Sequence, residues 1–128
     1  MTTAANQPDA IIWLPGDQLD QPAIALDAGG RLNKSTLLQA LSRAFHFPDY
    51  FGENWDAACD LLLDEVDQLT APARWRFSLE DGSLVDEADL ADWLRLMADV
   101  CAYAESRGLE LQVMIYGEER SPDGRRSQ

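Results

Sequence analysis

A row of carboxylate side chains in the middle of the sequence is the pattern best able to do chemistry. Its members lie three or four residues apart and are Glu53, Asp56, Asp60, Asp64 and Asp67. On an α-helix this spacing places side chains along one face. Like charges so arranged destabilise a helix by about 0.2–0.5 kcal/mol per pair, so the row does not serve helix stability. From the spacing alone, a surface for a cationic partner and a plain solvated face are equally good interpretations.

The loop before these carboxylates favours the binding surface. It reads Pro48-Asp49-Tyr50-Phe51-Gly52, so two adjacent aromatic side chains and a glycine precede the charges. Aromatic anchors beside charged residues are typical of a protein interface, with the aromatics at its centre and the charges at its rim. The sequence therefore predicts a protein-binding surface.

Residue types that would support catalysis or metal binding are scarce. The one histidine, His46, has no Ser-His-Asp, Cys-His or phosphate-loop pattern around it. Cys59 has apolar neighbours, which raise the pKa of a thiol and make it a poor nucleophile. Carboxylates on a regular helix lack both the looped wrapping that calcium prefers and the His or Cys ligands of zinc sites. We therefore expect no enzymatic activity, no metal and no cofactor.

The charge balance indicates the class of partner. The chain has a formal net charge of −13, which repels nucleic-acid phosphates and anionic membranes and attracts cationic proteins. We expect no direct contact with nucleic acid or membrane. Simple solubility is the other explanation of the acidity, and the distribution of the charges has to decide between them.

The cysteines and the N-terminus bear on the compartment. Cys59 and Cys101 form no CxxC pattern and lack the density of a disulfide framework. The first residues have no basic leader segment, and the apolar run from Ala10 ends at Pro15. We expect a cytoplasmic protein that is monomeric when free.

Hydrophobic periodicity predicts the elements that position these residues. Helical spacing follows a cap at Asn33 up to Pro48, a cap at Asn54 up to about Asp64, and a cap at Asp86 up to Arg107. Strand-like segments are Ala23–Leu26, Ala73–Leu79 and Leu109–Tyr116, with Ala10–Leu14 as a possible extra strand.

The resulting order, β-α-α-β-α-β, requires parallel strands joined by right-handed crossovers. It predicts an α/β two-layer sandwich in which helices pack on a three-stranded parallel sheet. We expect one domain over residues 22–116, a partly disordered extension over residues 1–21 and a disordered tail over residues 117–128.

The stretch FPDYFGENWDAACDLLLDE resembles the signature of the barstar family, intracellular inhibitors of the secreted ribonuclease barnase. The resemblance extends over roughly residues 22–116. It implies the family's α/β fold and an inhibitor that fills the active site of a basic ribonuclease with an acidic helix.

The resemblance also implies residue roles. Tyr50 matches an aromatic residue that packs against the nuclease, and Asp56 and Asp60 match two aspartates that enter its active site. Asp60 would occupy the place of a substrate phosphate and pair with catalytic Arg and His residues of the nuclease. The implied partner-binding set is Tyr50, Phe51, Gly52, Glu53, Asn54, Asp56, Cys59, Asp60, Leu63 and Asp64.

Three positions depart from the family pattern. Cys59 stands where the family has a tryptophan, Leu63 where it has a hydroxyl group, and Tyr103 where the last helix contributes a carboxylate. These departures bear on the identity of the target more than on the fold, so a ribonuclease-like toxin is an alternative to a barnase-type enzyme, in an antitoxin or immunity role. A nucleic-acid mimic or an acidic adaptor directed at another basic protein are further alternatives.

Overall fold

The computed structural model describes residues 10–48 and 54–117. The order of elements is β1 (Ile11–Leu14), β2 (Ile24–Ala25), β3 (Arg31–Leu32), α1 (Lys34–Phe45), α2 (Trp55–Asp67), β4 (Ala73–Ser78), β5 (Leu84–Val85), α3 (Glu87–Ser106) and β6 (Leu111–Tyr116), with a short 3-10 turn at Gly16–Gln18. The disorder predicted for residues 1–9 and 118–128 falls outside the described residues.

A parallel sheet forms one layer of the fold. Its strand order is β1-β6-β4-β2, and every pairing is parallel. The chain moves from β2 to β4 and from β4 to β6 in the same direction across the sheet, through α1 and α2 and then through α3. Right-handed crossovers in one direction place their helices on the same face. The predicted α/β two-layer sandwich is therefore confirmed.

The structure corrects the strand count. The possible extra strand is present as β1, which pairs with β6 and makes the sheet four-stranded. Two further strands, β3 and β5, form a separate two-stranded parallel sheet. The sequence does not predict them, because neither pair of residues belongs to a longer apolar or alternating run of the kind that surrounds β2.

Local capping explains where the helices begin. Asn33 starts α1 with a capping box, in which its Oδ1 accepts from the Thr36 amide at 3.0 Å and the Thr36 Oγ1 accepts from the Asn33 amide at 2.9 Å. Asp86 starts α3 by accepting from the Asp89 amide at 3.0 Å. All three predicted caps are present, since Asn54 starts α2 in the same way.

The core lies between the helices and one face of the sheet. Phe77 on β4 and Val113 and Ile115 on β6 are fully buried. The Phe77 ring and the Trp93 indole of α3 form a T-shaped pair, with 5.1 Å between their centroids. The alternating residues Arg74 and Gln112 lie on the opposite face and are linked by a hydrogen bond. Trp93 therefore joins α3 to the centre of the sheet.

We predict that Trp93→Ala lowers the free energy of unfolding by about 3–5 kcal/mol, because the substitution opens a cavity in this core. Urea denaturation followed by circular dichroism measures the loss. Leu84→Ala is the control, since Leu84 is 68% exposed and its truncation should change stability by about 0.5 kcal/mol or less. Equal stability losses in the two variants would contradict the packing described for Trp93.

Candidate protein-binding surface

The helix α2 begins at the junction that the sequence singled out. The Asn54 Oδ1 accepts a hydrogen bond from the Ala57 amide at 2.7 Å, and the Asn54 backbone is extended. Asp56 follows in the first turn, where a carboxylate interacts favourably with the positive end of the helix dipole. The Asn54 cap thus lies two residues before the first aspartate of the helix.

Four aspartates form what we call the acidic stripe, and all of them are exposed: Asp56, Asp60, Asp64 and Asp67. The opposite side of α2 is buried at Ala58, Leu62 and Val66, each with no exposed surface. The helix ends at Asp67 rather than near Asp64, so the prediction placed its end about one turn too early. At 1.5 Å per residue the stripe is about 16 Å long.

Three members of the stripe have no partner within the described part of the chain. The carboxylates of Asp56, Asp60 and Asp64 make no ion pair or side-chain hydrogen bond with any residue in 10–48 or 54–117. Because these three side chains are also exposed, they are available to an external cationic group.

Asp67, the fourth member, is different because α3 provides it with partners. The Tyr103 hydroxyl donates to the Asp67 Oδ1 at 2.7 Å, and the Arg107 Nε lies 3.3 Å from the same oxygen. This hydrogen bond to Asp67 is the main cause that raises the pKa of the Tyr103 phenol above its ordinary value. The Asp67 carboxylate therefore already has partners within the protein, Tyr103 and Arg107.

The neighbouring helix α3 adds a carboxylate that the sequence analysis did not single out. The pKa of the Cys59 thiol is raised first by burial and then by the negative charges of Asp60, Asp99 and Asp56. Asp99 on α3 thus acts on the same thiol as two members of the stripe. Its only signal in the sequence is its position four residues before Tyr103, one helical turn away.

The residues that depart from the family pattern lie along the seam between α2 and α3. Cys59, Leu63 and Tyr103 are half-buried and pack against the core. Of the predicted partner-binding set, the structure brings Asn54, Asp56, Cys59, Asp60, Leu63 and Asp64 onto one helix. Tyr50, Phe51, Gly52 and Glu53 lie outside the described residues.

Residues 10–48 and 54–117 contain neither a metal site built from His, Cys, Asp or Glu side chains nor a helix fit to span a membrane. No group of three or more His, Cys, Asp or Glu side chains there is placed to hold a metal ion. No helix in the same two ranges combines the length and the apolar character that a membrane span needs.

We predict that Asp60→Asn and Asp99→Asn each speed alkylation of Cys59. Both carboxylates raise the thiol pKa, so removing either charge increases the thiolate fraction at mildly alkaline pH. Iodoacetamide labelling, read peptide by peptide by mass spectrometry, measures the rate. Cys101 is the internal reference, because burial raises its pKa to about 11.

Asp81→Asn is the matched control for this labelling experiment. Asp81 is exposed in the turn between β4 and β5 and belongs to neither helix. A rate in Asp99→Asn no faster than in Asp81→Asn would show that Asp99 does not act on Cys59.

Comparison with known proteins identifies the family. A family model described as "Barstar (barnase inhibitor)" matches residues 21–116, which leaves β1 outside the matched segment. A search of curated proteins found no individual match. The resemblance drawn from the loop and the start of α2 is confirmed, and the family is one of inhibitors rather than enzymes. The chain belongs to the barstar family.

Proposed function

We propose that this protein inhibits a basic ribonuclease, of barnase type or a ribonuclease-like toxin, by inserting the acidic face of α2 into the active site. The observation that carries the proposal is a set of three exposed carboxylates on one helix of a barstar-family protein, none of them paired with a residue in 10–48 or 54–117: Asp56, Asp60 and Asp64. In this proposal Asp56 and Asp60 take the place of RNA phosphates.

The rigidity of α2 suits this role. Its N-terminus is fixed by the Asn54 cap, and Ala58, Leu62 and Val66 hold its inner side in the core. A preformed helix loses little conformational freedom on binding, so more of the charge attraction appears as affinity. The inhibitor would then compete with RNA for the same cationic groups, and no covalent step is needed.

The length of the acidic stripe favours a single cleft over a long nucleic-acid-binding surface. A duplex carries about one charge per 1.7 Å of its axis, and a mimic has to reproduce this over several turns of about 34 Å each. The stripe is about 16 Å long, and one of its four aspartates is already paired with Arg107. A nucleic-acid mimic therefore fits less well than an inhibitor of one active site.

The loop residues complete the proposed interface. Tyr50, Phe51, Gly52 and Glu53 precede α2 directly in the sequence, and we assign Tyr50 and Phe51 the apolar contacts beside the charged centre. Cys59 and Leu63 replace family residues on the same helix, so the contacts that these two positions make with the nuclease differ from those in the family. Inhibition of a cellular ribonuclease or toxin would place the protein in the cytoplasm.

We predict that Asp60→Asn weakens inhibition of barnase by about 30-fold or more. Loss of one partner of a buried charge pair costs about 2–5 kcal/mol, a range that rests partly on measurements of barnase and barstar themselves. Hydrolysis of a fluorogenic RNA by barnase, titrated with wild type or variant, measures the effect. Association of the wild type should also slow as salt screens the attraction.

Asp81→Asn controls for the loss of one negative charge and should leave inhibition within about two-fold. If Asp60→Asn inhibits as well as the wild type, α2 does not enter the active site, and an adaptor role is favoured instead. If the wild type itself fails to inhibit barnase, barnase is excluded as the target, and a ribonuclease-like toxin remains the candidate.

A further inference from the structure

The C-terminal end of the acidic stripe carries a positive charge. Arg107 lies just after α3 and reaches across to Asp67 at the last residue of α2. Its guanidinium also lies 5.7 Å from the centroid of the Tyr103 ring, a distance at which a cation interacts with an aromatic face. Three side chains from two helices thus form one cluster, Asp67, Tyr103 and Arg107.

The cluster changes what a partner meets at this point. The Arg107 side chain is 48% exposed and that of Asp67 is 42% exposed, so both remain on the surface. Because the tyrosine hydroxyl and the Arg107 Nε share one oxygen of Asp67, the negative charge there is opposed by a positive one a few ångströms away. An approaching cationic group would gain little from Asp67 and would be repelled by Arg107.

The second ion pair in the described residues is of another kind. Arg95 and Asp92 are three residues apart on α3, so they pair along one helix and leave Asp99, four residues after Arg95, without an ion pair in residues 10–48 and 54–117. The Arg107 pair joins two helices at the end of the stripe. The Arg107–Asp67 pair therefore marks the end of the anionic surface, whereas the Arg95–Asp92 pair stays within one helix.

We propose that Arg107 is a specificity-determining residue of the binding surface. By pairing with Asp67 it confines the anionic surface to Asp56, Asp60, Asp64 and Asp99. It thereby selects partners whose cationic patch does not extend as far as Arg107. This inference rests on the proposed function for the identity of the partner. The Arg107–Asp67 pair itself is present in the free protein, so its effect on the anionic surface does not depend on that function.

The partner that fits has a defined charge pattern. Its cationic groups face the first three turns of α2, and the part that faces Arg107 is neutral or acidic. A uniformly basic surface is disfavoured, since it would bring a second cation against the guanidinium. Selection by a repulsive contact in this way is a general means of discriminating between partners of similar overall charge.

The first test uses the free protein with hexalysine as the probe. When hexalysine is titrated in, the nuclear magnetic resonance signals of Asp56, Asp60, Asp64 and Asp99 should shift, and those of Asp67 should stay unchanged. Arg107→Gln should make Asp67 respond as well and bind hexalysine about two- to five-fold more tightly, as expected for removal of one exposed charge partner.

Arg74→Gln is the matched control for this titration. It makes the same change of net charge on the face of the sheet away from the helices, where Arg74 bonds to Gln112, and should leave the response of Asp67 as in the wild type. The double variant Asp67→Asn/Arg107→Gln should return hexalysine affinity to that of the wild type. A response of Asp67 in the wild type, or equal affinity gains in Arg107→Gln and Arg74→Gln, would overturn the inference.

The second test separates this inference from the proposed function. Barnase inhibition is measured with the same variants at low and at physiological salt. A wild type that binds hexalysine as described but does not inhibit barnase would refute barnase as target and leave the role of Arg107 standing. If the wild type inhibits barnase, Arg107→Gln should change inhibition more than Arg74→Gln does, and an equal effect would place Arg107 outside the interface and overturn its role in specificity.

Discussion

Burial of one side of α2 is the constraint on which the binding surface depends. Ala58, Leu62 and Val66 lie four residues apart and are fully excluded from water, so the helix has only one rotation that satisfies the core. Full burial of a leucine or valine side chain stabilises by about 1.5–3 kcal/mol, whereas like charges at helical spacing cost a few tenths of a kcal/mol per pair. Core packing therefore outweighs the mutual repulsion of the aspartates and holds them towards solvent.

The handedness of the crossovers gives α2 its neighbour. Because the chain crosses the sheet twice in the same direction, α2 and α3 pack on the same face. At 20 residues α3 is long enough to run beside all of α2. Trp93 fixes it to the sheet through Phe77, and this packing carries Asp99, Tyr103 and Arg107 to the seam. The sequence indicates a binding surface on α2 alone, whereas in the structure α2 and α3 form it together.

Features that depend on residues close together in the sequence could be predicted, and features that depend on contacts between distant parts of the chain could not. Periodicity and capping are local, so the three helix starts at Asn33, Asn54 and Asp86 were predicted correctly, as was the outward face of Asp56, Asp60 and Asp64. The end of α2 was not, because Asp67 is held by Tyr103 and Arg107 from a distant part of the chain. Asp99 was missed for the same reason: nothing near it in the sequence indicates that its charge raises the pKa of the Cys59 thiol.

The net charge of the protein and the positions of its individual charges affect binding in different ways. An overall charge of −13 attracts any cationic surface, but at physiological salt the attraction fades over about 8 Å. Asp56, Asp60 and Asp64 follow one another at four residues, or about 6 Å along the axis, so they act together on a group that has already docked. At this range a docked cationic group is repelled by a single arginine at the end of the stripe about as strongly as it is attracted by a single aspartate within it. Attraction can therefore come from the total, while the choice between basic partners depends on where the few positive charges are placed.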